Sequence, residues 1–253
     1  MRFLPAVLLS LTLSLTTTSW ASLGEVNKEM PAHLLGKFSS PIKKNEYPKI
    51  KEEIFAMGGR SVPVLTEVMK SEKYPDKNRW MATFLLAQLM GEKSAPYISK
   101  YSQHPNWLLR MASLKALTAL KQKEKGALFA KALKDDALLV RIQALESIKA
   151  LGLSEYAPHV WATLYDKRNY YESKGGNAKR GSIIKLAVST IGDLKFEKAR
   201  PALLKMVSNP KYQDIFPEMD VALSKITGKK SPDGDTNMKR LFWKRQGLSE
   251  VVI

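Results

Sequence analysis

Arg79, Arg110 and Arg141 stand 31 residues apart each time. A guanidinium is a fixed fork of five N–H donors, so three at one interval could line an edge of a stacked structure and hold anions or carboxylates there. A second concentration of chemistry follows, in which Lys167, Arg168, Lys174, Lys179 and Arg180 are interleaved with Tyr170, Tyr171 and the pair Gly175-Gly176. Cations beside aromatic rings can grip a phosphate backbone or stack on bases and sugars. Little else has the spacing of a reactive site. His33, His104 and His159 are scattered without metal-ligand intervals, and neither a Gly-x-Ser-x-Gly elbow nor a phosphate-cradling loop is present. Asp233-Gly-Asp-Thr-Asn237 begins like a calcium loop, but Met238 stands where that loop needs glycine and Lys244 where it needs an acid. It reads as a turn before the last helix. The sequence assigns no catalytic residue, no metal and no cofactor.

These residues must be positioned by a repeating frame. RWMATFLLAQL from Arg79, RMASLKALTAL from Arg110 and RIQALESIKALG from Arg141 carry small or aliphatic residues at +3, +6, +7 and +10, a single stripe on a helix. Weaker copies end at Ile184, Ala187, Val188, Ile191, Gly192 and at Met219, Ala222, Leu223, Ile226. Ahead of the stripes lie Pro63, Pro96, Pro158 and Pro201, each suited to the first turn of a preceding helix where its missing N–H is not needed. Asp76-Lys77-Asn78, His104-Pro105-Asn106, Asp135-Asp136 and Asn209-Pro210 predict the turns between paired helices. A fixed period of this size marks a stacked repeat, whose units bury their faces against neighbours. The period breaks once. Arg141 to the matching Gly181 is 40 residues, and the excess sits in an inserted loop at 166–182, where a glycine pair predicts a flexible excursion.

The phrase Asp136…Val140-Arg141…Ala144…Ile148…Leu151-Gly152 resembles HEAT-repeat proteins, particularly the short-repeat type first associated with phycobilin lyases. The resemblance covers about residues 50–245. It implies an all-α fold, an α-solenoid of about five HEAT-like helix pairs forming a curved right-handed stack. It also implies that the arginine opening each second helix pairs with an aspartate of a neighbouring turn. Arg79, Arg110 and Arg141 would then form a structural ladder, with Asp76, Asp135 and Asp136 as candidate partners. No residues match a lyase active site, so that activity is not carried over. Ala222 to Gly228 followed by Trp243 looks like the closing repeat of exported members.

Opposite the stripe, the +1, +4, +5 and +8 positions predict a solvent side. They hold Trp80, Thr83, Phe84 and Ala87, then Met111, Leu114, Lys115 and Thr118, then Ile142, Leu145, Glu146 and Lys149. Trp80, Phe84, Met111 and Ile142 make an apolar row there, and the resemblance implies that second helices floor the concave groove. Such a row marks a partner site, unless the N-terminal arm folds over it.

Residues 1–21 have the pattern of a signal peptide: Arg2, an apolar run from Phe3 to Leu15, and Ser19-Trp20-Ala21 before a cut at Ser22. Residues 22–51 read as an N-terminal arm or cap and 52–253 as the solenoid. No second apolar run reaches spanning length, and the absence of cysteine excludes disulfide staples and thiolate sites. The formal charge is +17. Residues 126–165 balance four basic against four acidic side chains, while 76–125 carry nine against three and 166–200 nine against four. The expectation is an exported, periplasmic or secreted, non-catalytic scaffold that holds a protein or peptide in its groove. The alternative is a binder of an anionic polymer, nucleic acid or envelope glycan, through the basic flanks and the 166–182 loop. A more distant alternative is a DNA binder like the alkylpurine glycosylases, which share the fold class.

Overall fold

A computed structural model describes residues 31–173 and 176–249. The expected leader at 1–21, the first part of the arm and Lys174 lie outside the described residues. Helices α1 (Ala32–Lys37) and α2 (Tyr47–Met57) open the described chain. Five pairs follow: α3 (Val62–Lys70) with α4 (Asp76–Met90), α5 (Ala95–Lys100) with α6 (Trp107–Ala119), α7 (Gly126–Ala132) with α8 (Leu138–Leu151), α9 (Ala157–Ala162) with α10 (Gly181–Asp193), and α11 (Arg200–Val207) with α12 (Phe216–Thr227). Helix α13 (Thr236–Ser249) closes the stack against α11. The fold is an all-α solenoid. Its spine is the series of second helices α4, α6, α8, α10 and α12, each packed on the next.

Pro63, Pro96, Pro158 and Pro201 all fall in the first turn of their helices, where φ is preset and no donor is lost. Helix α4 begins at Asp76, so Asp76-Lys77-Asn78 form its first turn rather than the turn before it. Helix α2 also runs through residue 51, so the cap and the solenoid join without a break. The predicted stripe is the core: Ala82, Leu85, Ala116, Leu117, Ala144, Ile148, Ile184, Val188, Met219 and Leu223 are all buried.

The solvent side is narrower than the wheel suggested. Thr83, Leu114, Leu145 and Ala87 are buried, because a second helix touches its own first helix and the second helices before and behind it. Three partners leave little of its circumference free. Between neighbours, Thr118 Oγ1 donates to Ser147 Oγ at 2.6 Å, and Asp193 accepts from Lys149 at 2.9 Å and from Lys225. Burial works against the Asp193 charge, but the two ammonium groups outweigh it and hold its pKa below the usual carboxylate value. At the end of the stack Trp243 is fully buried and its indole N–H donates to Asp220 at 2.7 Å.

The insertion differs from the expected excursion. It forms an antiparallel hairpin, β1 (Tyr170–Ser173) with β2 (Gly176–Lys179), in the register Tyr170 opposite Lys179. The base is closed by the Arg180 N–H donating to Asn169 O at 2.9 Å, and Asn169 is fully buried beneath it.

Candidate functional site

The arginines stand in the first turn of the second helices α4, α6 and α8, beside the turns that join first to second helices. Arg110 makes the expected pair, a two-pronged contact of Nε and Nη2 with the Asp135 carboxylate of the next turn at 2.7 Å each. Burial opposes the charge on Asp135, yet this fork and the Ala137 N–H hold its pKa down. Arg79 reaches Asp76 on its own helix at 3.3 Å, the Met69 carbonyl at 3.3 Å and His104 of the next turn at 3.4 Å. Arg141 departs from the expectation of an aspartate partner. Its Nε donates to Asn169 Oδ1 at 3.0 Å and its Nη1 to the carbonyls of Asp135 and Asp136 at 2.7 and 2.9 Å. It is only 2% exposed. Burial first, and then the Arg168 charge, lower its pKa from the ordinary value. Arg79, Arg110 and Arg141 thus have their donors engaged within the fold, at the turns.

The hairpin residues divide into two groups. Arg168 is held by Asp166 at 2.7 Å, by Asp136 at 3.3 Å and by the Lys134 carbonyl at 2.6 Å. Lys179 pairs with Asp214 at 2.9 Å and donates to the Lys211 carbonyl. Arg180 donates to Arg168 O and lies over the Tyr171 ring. Three of the expected anion-binding cations are therefore engaged within the fold. Lys167 is exposed, and with Tyr170 and Tyr171 it lines an open cleft.

Trp80 and Phe84 sit together on α4, ring centroids 4.5 Å apart and tilted by 45°. They line a groove of about 530 Å³ whose other wall is the N-terminal cap, through Ile42 and Tyr47. The cap is held there by Asn78. This fully buried side chain accepts from the Ile42 N–H at 3.2 Å and donates to the carbonyls of Phe38 and Ser40 at 2.9 and 2.7 Å. So the arm residues at 31–51 border the apolar row and leave Trp80 and Phe84 in an open groove. Lys43, Lys44, Lys77 and Lys115 stand around it, and none makes an ion pair with a described residue. The Trp80 indole N–H is closed off from solvent and meets no acceptor among the described residues. Met111 and Ile142 are half-buried against the core and lie outside this groove, at the same offset on α6 and α8.

Sequence reasoning missed Tyr47 as a groove wall and Tyr165, Lys211 and Tyr212 as neighbours of the hairpin. The signal for the first was Lys43-Lys44 followed by an aromatic that opens a helix. For the others it was Asn209-Pro210, which opens a connection of six residues, Pro210–Ile215, next to the insertion.

None of the curated proteins matches the sequence. Among solved structures, a chain of the complex of CpcE and CpcF of phycocyanin lyase from Nostoc sp. PCC7120 is similar, at 14% identity and a TM-score of 0.43, over 86% of this chain and 94% of that chain. Residues 62–149, which run from α3 almost to the end of α8, match the family of HEAT repeats, so the stacked pairs with the arginine ladder are similar to HEAT repeats.

Proposed function

We propose that the chain is an exported, non-catalytic solenoid that binds a protein partner, gripping an acidic peptide with apolar anchors in the groove of Trp80 and Phe84. The observation that carries this reading is the pairing of an aromatic floor with four lysines that have no partner among the described residues. Aromatic rings at a groove floor dominate contact energies, and unpaired cations at its rim select acidic chains and speed encounter. Met111 and Ile142 extend the apolar row along α6 and α8, so the peptide runs from the cap towards the third pair. Export is supported by the leader pattern at 1–21. The reading in which the hairpin grips a highly charged polymer has less support, since Arg168, Lys179 and Arg180 are occupied.

Selection from a displayed random-peptide library tests the proposal. The expected result is enrichment of peptides with two or more acids beside an aromatic or aliphatic anchor. Trp80→Ala or Phe84→Ala should then weaken the selected peptide by at least about tenfold, equivalent to about 1.4 kcal/mol. Reversing Lys43 and Lys44 to Glu should weaken it as well. Enriched peptides without acids, or indifference to Trp80→Ala, would overturn the reading.

A further inference from the structure

The cleft beside the hairpin has a different chemistry from the groove and shares no lining residue with it. Its volume is about 620 Å³, and its walls carry four tyrosines, Tyr165, Tyr170, Tyr171 and Tyr212, with Lys167 and Lys211. Tyr165 and Tyr171 are 67% and 48% exposed. Large exposed rings are ordinarily free to turn, but each of these four is held. Tyr165 meets Trp161 edge-on at 5.9 Å, and the Tyr170 hydroxyl donates to Leu164 O at 2.5 Å. Arg180 sits over Tyr171 at 5.7 Å and Lys179 over Tyr212 at 5.5 Å. Burial raises the Tyr170 pKa from the ordinary phenol value. Two of the hairpin cations that looked free for an anion, Lys179 and Arg180, thus lie over ring faces.

Such a cleft is preorganised: ordering four rings on binding would carry an entropic cost that the fold has already met. Tyrosine offers a flat apolar face and a hydroxyl that both donates and accepts, which suits a ligand whose surface alternates C–H and O–H groups. A pyranose ring has that alternation. Lys167 and Lys211 make no ion pair with a described residue, so the ligand also carries negative charge, at a density that two ammonium groups match. A nucleic-acid strand presents a phosphate at every nucleotide and is held by a basic groove that tracks it, which two lysines do not make.

We infer that the tyrosine cleft between the hairpin and the 210–215 connection is a binding site for an acidic oligosaccharide, with sugar faces on the tyrosines and its carboxylate or phosphate groups on Lys167 and Lys211. Calorimetric titration with tetragalacturonate, its carboxyl-reduced neutral counterpart and tetrathymidylate tests this on the full chain. The acidic tetrasaccharide should bind, and the reduced sugar at least fivefold more weakly. Tyr171→Ala and Tyr165→Ala should each cost fivefold or more, and Lys167→Glu with Lys211→Glu should abolish measurable binding. These side chains are at the surface, so thermal melting should be unchanged, which separates a lost site from a lost fold. A galactose 6-phosphate oligomer distinguishes phosphate from carboxylate as the anion. No binding of either acidic sugar, tighter binding of tetrathymidylate, or indifference to Tyr171→Ala would overturn the assignment. Because the Trp80 groove contributes nothing to the cleft, Trp80→Ala should leave this titration unchanged, and the two readings fail separately.

Discussion

His104, Asp135 and Asp166 occupy one structural position in three successive turns. Each accepts a hydrogen bond from the backbone N–H two residues on, at 3.0, 2.9 and 3.0 Å. Asp135 adds a forked contact to Arg110, whereas His104 faces Arg79 across 3.4 Å with a ring nitrogen. With Nδ1 accepting, the neutral ring carries its proton on Nε2, towards a guanidinium that also only donates. Burial and then the Arg79 charge lower the His104 pKa. A histidine with a depressed pKa binds fewer protons folded than unfolded. It therefore contributes stability above its unfolded pKa of about 6.5, lost as pH falls through the folded value. His104→Asp should keep the backbone cap, give Arg79 a carboxylate and raise stability at pH 7 by about 1 kcal/mol, net of lost stacking on Tyr101. It should also flatten the decline between pH 7 and 5. Urea midpoints at both pH values check this, and a lower midpoint at pH 7 would refute the assigned equivalence. At this scale the arginines were legible in the sequence, because an invariant interval betrays them. Their partners were not, since Asp135 and Asn169 are different acceptors for Arg110 and Arg141, and His104 faces Arg79 with a ring nitrogen that carries a proton.

The elements were legible wherever the period of the core was regular. Stripes on α4, α6, α8, α10 and α12 follow from spacing alone, and prolines mark where first helices start. Two features escaped. The hairpin was hidden because a glycine pair reads as flexible unless something holds the strand bases, and what holds them is Asn169, itself fixed by Arg141 from another repeat. The narrowness of the solvent side was hidden because a helical wheel has one apolar face, while a helix in a stack has three neighbours. How close those neighbours lie is set by Gly192 on α10. A Cβ there would stand 2.6 Å from Ala222 Cα and 2.9 Å from its Cβ on α12, and the first of these is backbone that cannot turn aside. Gly192→Ala should push α10 from α12 and destabilise the solenoid by about 1–3 kcal/mol, despite alanine's better helix propensity. A thermal midpoint equal to or above that of the parent protein would show that the crossing is looser than this geometry.

For the whole molecule, the charge of +17 indicated an appetite for anions without saying where. The location depends on which cations the fold consumes. Arg168, Lys179 and Arg180 are spent on the hairpin, whereas Lys43, Lys44, Lys77 and Lys115 remain around Trp80, and Lys167 and Lys211 beside the tyrosines. One surplus is thereby divided between two sites at different stations of the stack, the first at the cap and first pair, the second at the fourth and fifth pairs. In a solenoid each unit contacts only its neighbours, so a change at one station reaches another only by passing through every interface between. The seams along that path include Thr118 with Ser147 and Lys149 with Asp193. Coupling needs an element with two arrangements that both ligands bias. The expectation is independence. Saturating the groove with its selected peptide should change the affinity for tetragalacturonate by less than about twofold, and the reverse titration should give the same factor because coupling is reciprocal. A Trp80→Ala, Tyr171→Ala double variant should show the sum of the single losses in each assay, to within about 0.5 kcal/mol. A change of fivefold or more in either titration would mean that the stack bends on binding and that both sites feel it.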